Sequence, residues 1–208
     1  MNNVLEVDHP VIDIYLTALR DKTTKTAPFR RAMANIGNIL AYHALSELPL
    51  TEFEVETPIQ KTSGFTPSTD VVVIPILRAG LSLVDGIINF IPEAKVGHIG
   101  VYRDEETHEP VNYYHNLPNG IEDAFTLVVD PMLATGGSGS HAVKFLKESG
   151  AKNIRFVALI AAPEGIERLQ TDHPDVPIIT ASIDEKLNDQ AYIIPGLGDA
   201  GDRYFGTT

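Results

Sequence analysis

The stretch VVDPMLATGGS, Val128 to Ser138, leads out of one apolar β-branched run and into a helical one, and its reading decides the fold. The run before it, TLVVD, has the make-up of a buried strand and ends on an acid. The stretch after it, SHAVKFLKESGA, spaces its apolar residues as a helix does, and IRFVALIAA returns to strand composition. The alternation extends in both directions: VVVIPI, LSLVDGIINFI and VGHIGVY lie upstream, EGIERLQTD and VPIITASI downstream. Buried parallel strands joined by crossover helices produce this rhythm. Residues 70–185 therefore read as an α/β core, a doubly wound, mostly parallel sheet.

The flanking segments read differently. Apolar residues fall at helical spacing in VIDIYLTALR and FRRAMANIGNILAYHAL, so the first 50 residues read as helical. TEFEVET then alternates as a half-exposed strand does, and Pro, Gly and Ser punctuate what reads as a loop through Asp70. These N-terminal segments and the Gly-rich C-terminal tail are expected to pack around the sheet as a smaller lobe of one domain spanning residues 1–208.

Composition excludes several chemistries. With 43% apolar and 21% charged residues, the 208-residue chain has the balance of a soluble globular protein. Its densest apolar run, VVVIPIL, is far short of a bilayer span, and MNNVLEVDHP lacks the basic flank and apolar stretch of a signal peptide. The expectation is a cytoplasmic protein with no membrane partner. The absence of cysteine rules out disulfides, a thiolate nucleophile and thiolate zinc sites. A formal charge of -12 disfavours nucleic acid as a partner, because that affinity comes mainly from Lys and Arg on phosphates. The seven histidines form no H-x-x-x-H pair, so no transition-metal site is expected.

In doubly wound sheets ligands bind beyond the carboxyl ends of the strands. At the end of TLVVD, Asp130 precedes Pro131, Met132, Leu133, Ala134, Thr135, Gly136, Gly137 and Ser138, which open a helix. Paired glycines, two hydroxyls and a helix N-terminus make a phosphate cradle, although the spacing is not that of a Walker A loop. His141, early in that helix, is close enough to tune the phosphate site. Arg78 follows the apolar strand VVVIPIL, and Arg103 ends GVYR and leads into a polar, acidic stretch reaching about Asn119 that reads either as a mobile lid or as an ordinary surface loop. An acid suited to ribose hydroxyls, a cradle and two arginines together describe a site for a phosphorylated sugar with a further anionic group.

DPMLATGGS resembles the phosphoribosyl pyrophosphate (PRPP) motif of phosphoribosyltransferases. PILRAG, YRDEET, AAPEGI, ASID and IIPGLGDAGDRYFGT, in that order, resemble the uracil phosphoribosyltransferase family over nearly the whole chain. The resemblance implies transfer of ribose 5-phosphate from PRPP to N1 of uracil, giving UMP and pyrophosphate in pyrimidine salvage, with Mg²⁺ as cofactor and a homo-oligomer, dimer or higher, as the assembly. It further implies that the 5-phosphate sits on Thr135 to Ser138 within a PRPP site running from Asp130 to Ser138, that Asp130 takes the ribose hydroxyls, and that Arg78 and Arg103 hold the pyrophosphate. Many phosphoribosyltransferases have a second acid where this chain has Pro131, a proline shared by the uracil branch; Mg²⁺ is then carried by pyrophosphate oxygens, water and Asp199. The alternative is a non-catalytic sensor of PRPP or UMP on the same fold, which needs a basic RNA-binding face.

The tail carries GLGDAG, Gly196 to Gly201, in the G-x-G-x-x-G spacing of dinucleotide sites. Only seven residues follow, leaving no room for the helix and distal acid that a dinucleotide site needs. By the family resemblance this loop reads the base instead: Ile193 and Gly198, Asp199 and Ala200 line uracil, and Asp199 lies near PRPP. Glycines let the main chain approach closely enough to match uracil's acceptor, donor, acceptor edge. Asp199 is also the best candidate to help uracil lose its N1 proton.

Overall fold

The computed structural model describes residues 3–103 and 110–207, with the backbone alone for residues 102, 103, 110 and 112. The N-terminal part contains β1 (Val4–Glu6), α1 (Pro10–Arg20), α2 (Thr26–Ala44), β2 (Leu50–Glu56) and β3 (Lys61–Pro67). The core then runs β4 (Val71–Leu77), α3 (Leu81–Ile88), β5 (Lys95–Val96), β6 (His98–Arg103), β7 (Pro110–Asn116) and β8 (Phe125–Val129). It continues through β9 (Met132–Leu133), α4 (Gly137–Glu148), β10 (Asn153–Ala161), α5 (Pro163–Asp172) and β11 (Ile178–Ile183). The tail holds β12 (Lys186–Leu187), β13 (Ile193–Ile194) and α6 (Ala200–Phe205).

The main sheet has the order β1-β11-β10-β8-β4-β6-β7, parallel except for β7, which pairs antiparallel with β6. Its central strands are buried on both faces, which is why they read as unbroken apolar runs. In β4 and β8, Val71, Val73, Phe125, Leu127 and Val129 belong to the core that includes α1, α2 and α3. Val72, Ile74, Ile76 and Val128 belong to the opposite core, with α4 and α5. After β4 the chain crosses by α3 to β6; after β8 it crosses by α4, on the other face, to β10 on the other side. The order reverses between β4 and β8, and a crevice at such a reversal is where α/β sheets bind ligands.

Both N-terminal helices are where their apolar spacing puts them. Pro10 begins α1, the His9 side chain accepts from the Val11 N–H at 3.1 Å, and Ile12, Leu16 and Leu19 form its buried stripe. Phe29, Met33, Ile36 and Leu40 do the same for α2, all of them fully buried. These helices supply much of one face of the core.

Three local expectations change. Residues 61–67, read as loop, form β3, paired antiparallel with β2 over its whole length. Nearly every residue of this hairpin is exposed, so no apolar alternation marks the strand. Val4–Glu6, within the stretch read as helical, is an edge strand beside β11. The second half of the polar stretch after Arg103 is β7; residues 104–109, where the lid was expected, lie outside the described residues. No helix among the described residues is long and apolar enough to cross a membrane.

Candidate active site

Asp130 leaves β8 with its N–H on the Val157 carbonyl at 3.1 Å, and its Oδ1 accepts from the Met132 N–H at 3.4 Å. The Pro131 carbonyl accepts from the Leu159 and Ile160 N–H groups at 3.1 and 3.0 Å, and Met132 and Leu133 pair with Ile160 and Ala161 as β9. The sheet thus fixes the base of the cradle. Gly136 then turns with φ of +75°, a left-handed value that suits glycine, and caps α4. A Cβ there would also meet the Gly165 carbonyl at 2.7 Å. Thr135 Oγ1 accepts from the Gly137 N–H at 3.4 Å, and Ser138 is exposed. This puts a helix N-terminus and two hydroxyls on one turn, the arrangement that suits a phosphate.

The cradle is braced from behind. A Cβ on Gly165 would lie 2.5 Å from the carbonyls of Leu133 and Ala134, so α5 packs directly on the cradle backbone. Ser140 Oγ and Arg168 Nε both donate to Asp172 Oδ2 at 2.6 Å, while His173 Nε2 donates to the Ser140 carbonyl at 2.9 Å. His141 lies on α4 with its Nε2 buried and no hydrogen-bond partner among the described residues.

Burial pushes the Asp130 carboxyl up to about 7, against the opposing bond from the Met132 N–H. A carboxyl so poised changes charge near neutrality, and only its ionised form offers both oxygens as acceptors.

Arg78 follows β4 and is exposed, its guanidinium 3.5 Å from Asp202 of α6 and 5.7 Å from the Phe205 ring centroid. The Leu77–Arg78 peptide is cis. Two residues on, a Cβ at Gly80 would lie 2.4 Å from the Val129 carbonyl, so the β4 turn presses on the end of β8 just before Asp130. Arg78 and Asp130 therefore share the crevice at the reversal. Arg103 has its backbone at the end of β6, next to β4; its side chain lies outside the described residues.

The tail reaches the same crevice from the far side. Gly201 comes within contact of Ala79, a Cβ there lying 3.7 Å from the Ala79 Cβ. GLGDAG does open a helix, contrary to the sequence expectation, but α6 has only six residues. Asp199 caps it, Oδ1 accepting from the Asp202 N–H at 2.8 Å. Gly198 and Asp199 are exposed, whereas Ile193 and Ala200 are buried in the core, so what the latter two can offer a ligand is main chain.

Three arginines not singled out in the sequence hold this tail. Arg20, ending α1, donates to both oxygens of Asp184 at 2.8 and 2.7 Å, and its Nη1 also reaches the Gly196 carbonyl at 3.0 Å. Burial works against the charge of Asp184, but Arg20, the Gly196 N–H and the Ser182 hydroxyl together hold its carboxyl below the ordinary carboxylate value. Arg203 donates to the Leu197 carbonyl at 2.6 Å, to the Asp21 carbonyl at 2.7 Å and to the Leu19 carbonyl, and lies 4.3 Å over the Phe29 ring. Arg30 donates to the Tyr204 carbonyl at 2.6 Å. The motifs ASID and IIPGLGDAGDRYFGT contain Asp184 with Ser182, and Arg203, but neither shows which distant groups they hold.

A curated relative from Acholeplasma laidlawii named uracil phosphoribosyltransferase is 54% identical, over all of both chains. A solved structure of a protein from Aquifex aeolicus, 38% identical, superposes with a TM-score of 0.92 over 99% of each chain. The adenine phosphoribosyl transferase of Trypanosoma brucei, 12% identical, shares the fold at a TM-score of 0.61 over 92% of this chain and 88% of its own. The sequence profile described as uracil phosphoribosyltransferase matches residues 6–207, and the chain belongs to that family.

Proposed function

We propose that the protein transfers the 5-phosphoribosyl group of PRPP to N1 of uracil, releasing UMP and pyrophosphate. The observation that carries this reading is the meeting of the strand-end cradle and the glycine tail in one crevice, through Arg78 and Asp202, in a chain of this family. Thr135 to Ser138 hold the 5-phosphate with main-chain N–H groups and hydroxyls. Asp130 accepts from the ribose hydroxyls, and Arg78 and Arg103 hold the pyrophosphate. Gly198 to Ala200 and the backbone at Ile193 read uracil.

Substitution at the anomeric carbon passes through a cation-like state, so the protein's work is alignment and electrostatics. The N1 lone pair forms the new bond as the bond to pyrophosphate breaks, and N1 gives up its proton. Asp199, the exposed carboxylate beside Gly198, is our candidate to receive it. Among the described residues no group of three or more acidic or histidine side chains forms a metal cage. Asp199 is the protein carboxylate that would stand near Mg²⁺, with pyrophosphate oxygens and water as its other ligands. When bound, Mg²⁺ neutralises charge on the leaving group.

The nearly fully exposed β2–β3 hairpin, with Phe53 and Phe65 outward, supports a homo-oligomer, and the composition supports a cytoplasmic enzyme with no nucleic-acid or membrane partner. The deciding experiment supplies PRPP, Mg²⁺ and each free base, and looks for nucleotide. UMP from uracil is expected; tight RNA binding without turnover would favour the sensor instead.

A further inference from the structure

Reading a base with main chain is only as selective as the main chain is fixed. Gly196 and Gly198 have φ of +63° and +79°. Glycine adopts either sign of φ at little cost, so nothing local stops the peptide between Leu197 and Gly198 from turning over. Such a turn exchanges an N–H for a C=O at the base. It would convert a donor suited to a uracil carbonyl into an acceptor suited to the amino group of cytosine.

We propose that Arg203 and the Arg20–Asp184 pair are positioning residues that hold the peptides of Gly196 to Gly198 in one orientation and thereby set the preference for uracil over cytosine. This rests on the tail being the base site. The Leu197–Gly198 peptide is trans, so its C=O and N–H point in opposite directions. With the Leu197 carbonyl on Arg203 Nη1 at 2.6 Å, the Gly198 N–H must face away from Arg203, and it has no partner among the described residues. Arg203 cannot follow a turning peptide, because Leu19, Asp21 and the Phe29 ring hold its planar head. One step back, Gly196 is gripped at both ends: its N–H donates to Asp184 Oδ2 at 2.8 Å and its carbonyl accepts from Arg20 at 3.0 Å. The Asp184 side chain is 1% exposed, so water does not compete for that bond.

The test compares Arg203→Lys, Arg20→Lys and Asp184→Asn with the unaltered protein. For each, kcat and KM are measured with uracil and cytosine, PRPP binding by calorimetry, and Tm. The ratio of kcat/KM for uracil to that for cytosine should fall by about tenfold or more, with a raised KM for uracil, since one mismatched buried polar pair accounts for about that factor. PRPP affinity should stay within about twofold, because the cradle is untouched. A purely structural role would lower Tm and slow both bases alike; an unchanged ratio and an unchanged KM for uracil in folded variants overturn the proposal. Arg20→Lys keeps its charge against Asp184 on a partly exposed side chain, so it carries the test if the others do not fold. Gly198→Val separates the two ideas. If it turns over uracil normally, the tail is not the base site and the proposal falls with it; if it loses uracil while the clamp variants keep their selectivity, the clamp alone is refuted.

Discussion

Arg78 and Asp202 stand 3.5 Å apart, one at the end of β4 and the other on α6, and join the proposed pyrophosphate side of the crevice to the proposed base side. Both are partly exposed, so the pair itself contributes no more than about 1 kcal/mol to stability. Arg78→Ala is accordingly expected to leave Tm nearly unchanged while lowering kcat/KM by about 10²- to 10³-fold, the usual effect of removing one preorganised electrostatic contact. Steady-state kinetics beside a melting curve decide it, and near-normal turnover would show that the pyrophosphate binds elsewhere.

Asp130 gives a dependence on pH. Its carboxyl is raised from an ordinary value to about 7 in the folded protein, so the free fold favours the protonated form. The stability this group contributes is fully present at acid pH, below its unfolded value, and is lost as pH rises through about 7. Asp130→Asn should therefore raise Tm at pH 8 and not at pH 3. In the proposed role the ionised carboxylate is the stronger acceptor for the ribose hydroxyls, so PRPP affinity of the unaltered protein should weaken as pH falls below about 7, with a flatter profile in the Asn variant. Calorimetry across pH 5.5 to 8.5, roughly the titration range, measures it; matching profiles would detach Asp130 from the ribose.

Gly165 offers a test of the cradle that touches no ligand. An added methyl would press on two backbone carbonyls at 2.5 Å, and the Leu133 carbonyl, which accepts from the Ala162 N–H, cannot move without disturbing β9. Gly165→Ala should cost about 1–3 kcal/mol, the range for overpacking. It should also weaken PRPP binding. If Tm falls while PRPP affinity holds, the cradle does not depend on α5.

Gly198 should tolerate no β-branched residue. Its φ of +79° strains any L side chain, and a Val there would project near Arg203, whose Cδ is 3.6 Å from an added Cβ. Gly198→Val should retain PRPP binding and lose uracil turnover. With the unaltered protein, 5-fluorouracil should be accepted, since fluorine at C5 leaves the carbonyl and N3–H edge intact. Rejection of 5-fluorouracil would mean that the pocket reads the C5 side instead.

The sheet was legible because its central strands are buried on both faces and leave unbroken apolar runs, as VVVIPIL does. The cradle was legible because hydroxyls, glycines and an acid fall on consecutive positions. What escaped the sequence lacked one or the other kind of signal. The strand at 61–67 is exposed and pairs only with its neighbour, so hydrogen bonds define it and side chains do not. AAPEGI was recognisable as a motif, yet the reason for Gly165 emerges only once α5 lies against Leu133 and Ala134. Arg20, Asp184 and Arg203 are clamps between distant segments, separated by 164 residues in one case and 184 in another. Separation of that kind leaves no pattern in one chain.

Those separations bear on synthesis. Leu19 and Asp21 leave the ribosome early, but the guanidinium that binds their carbonyls belongs to residue 203. Contacts of such high contact order close late, because a long loop must be ordered before they repay it. A nascent chain can complete β4, β8 and the cradle while its α1 groove still waits for the tail. On the proposed roles, the site for the phosphorylated sugar can therefore form before the tail that reads the base has closed, and selectivity would come last.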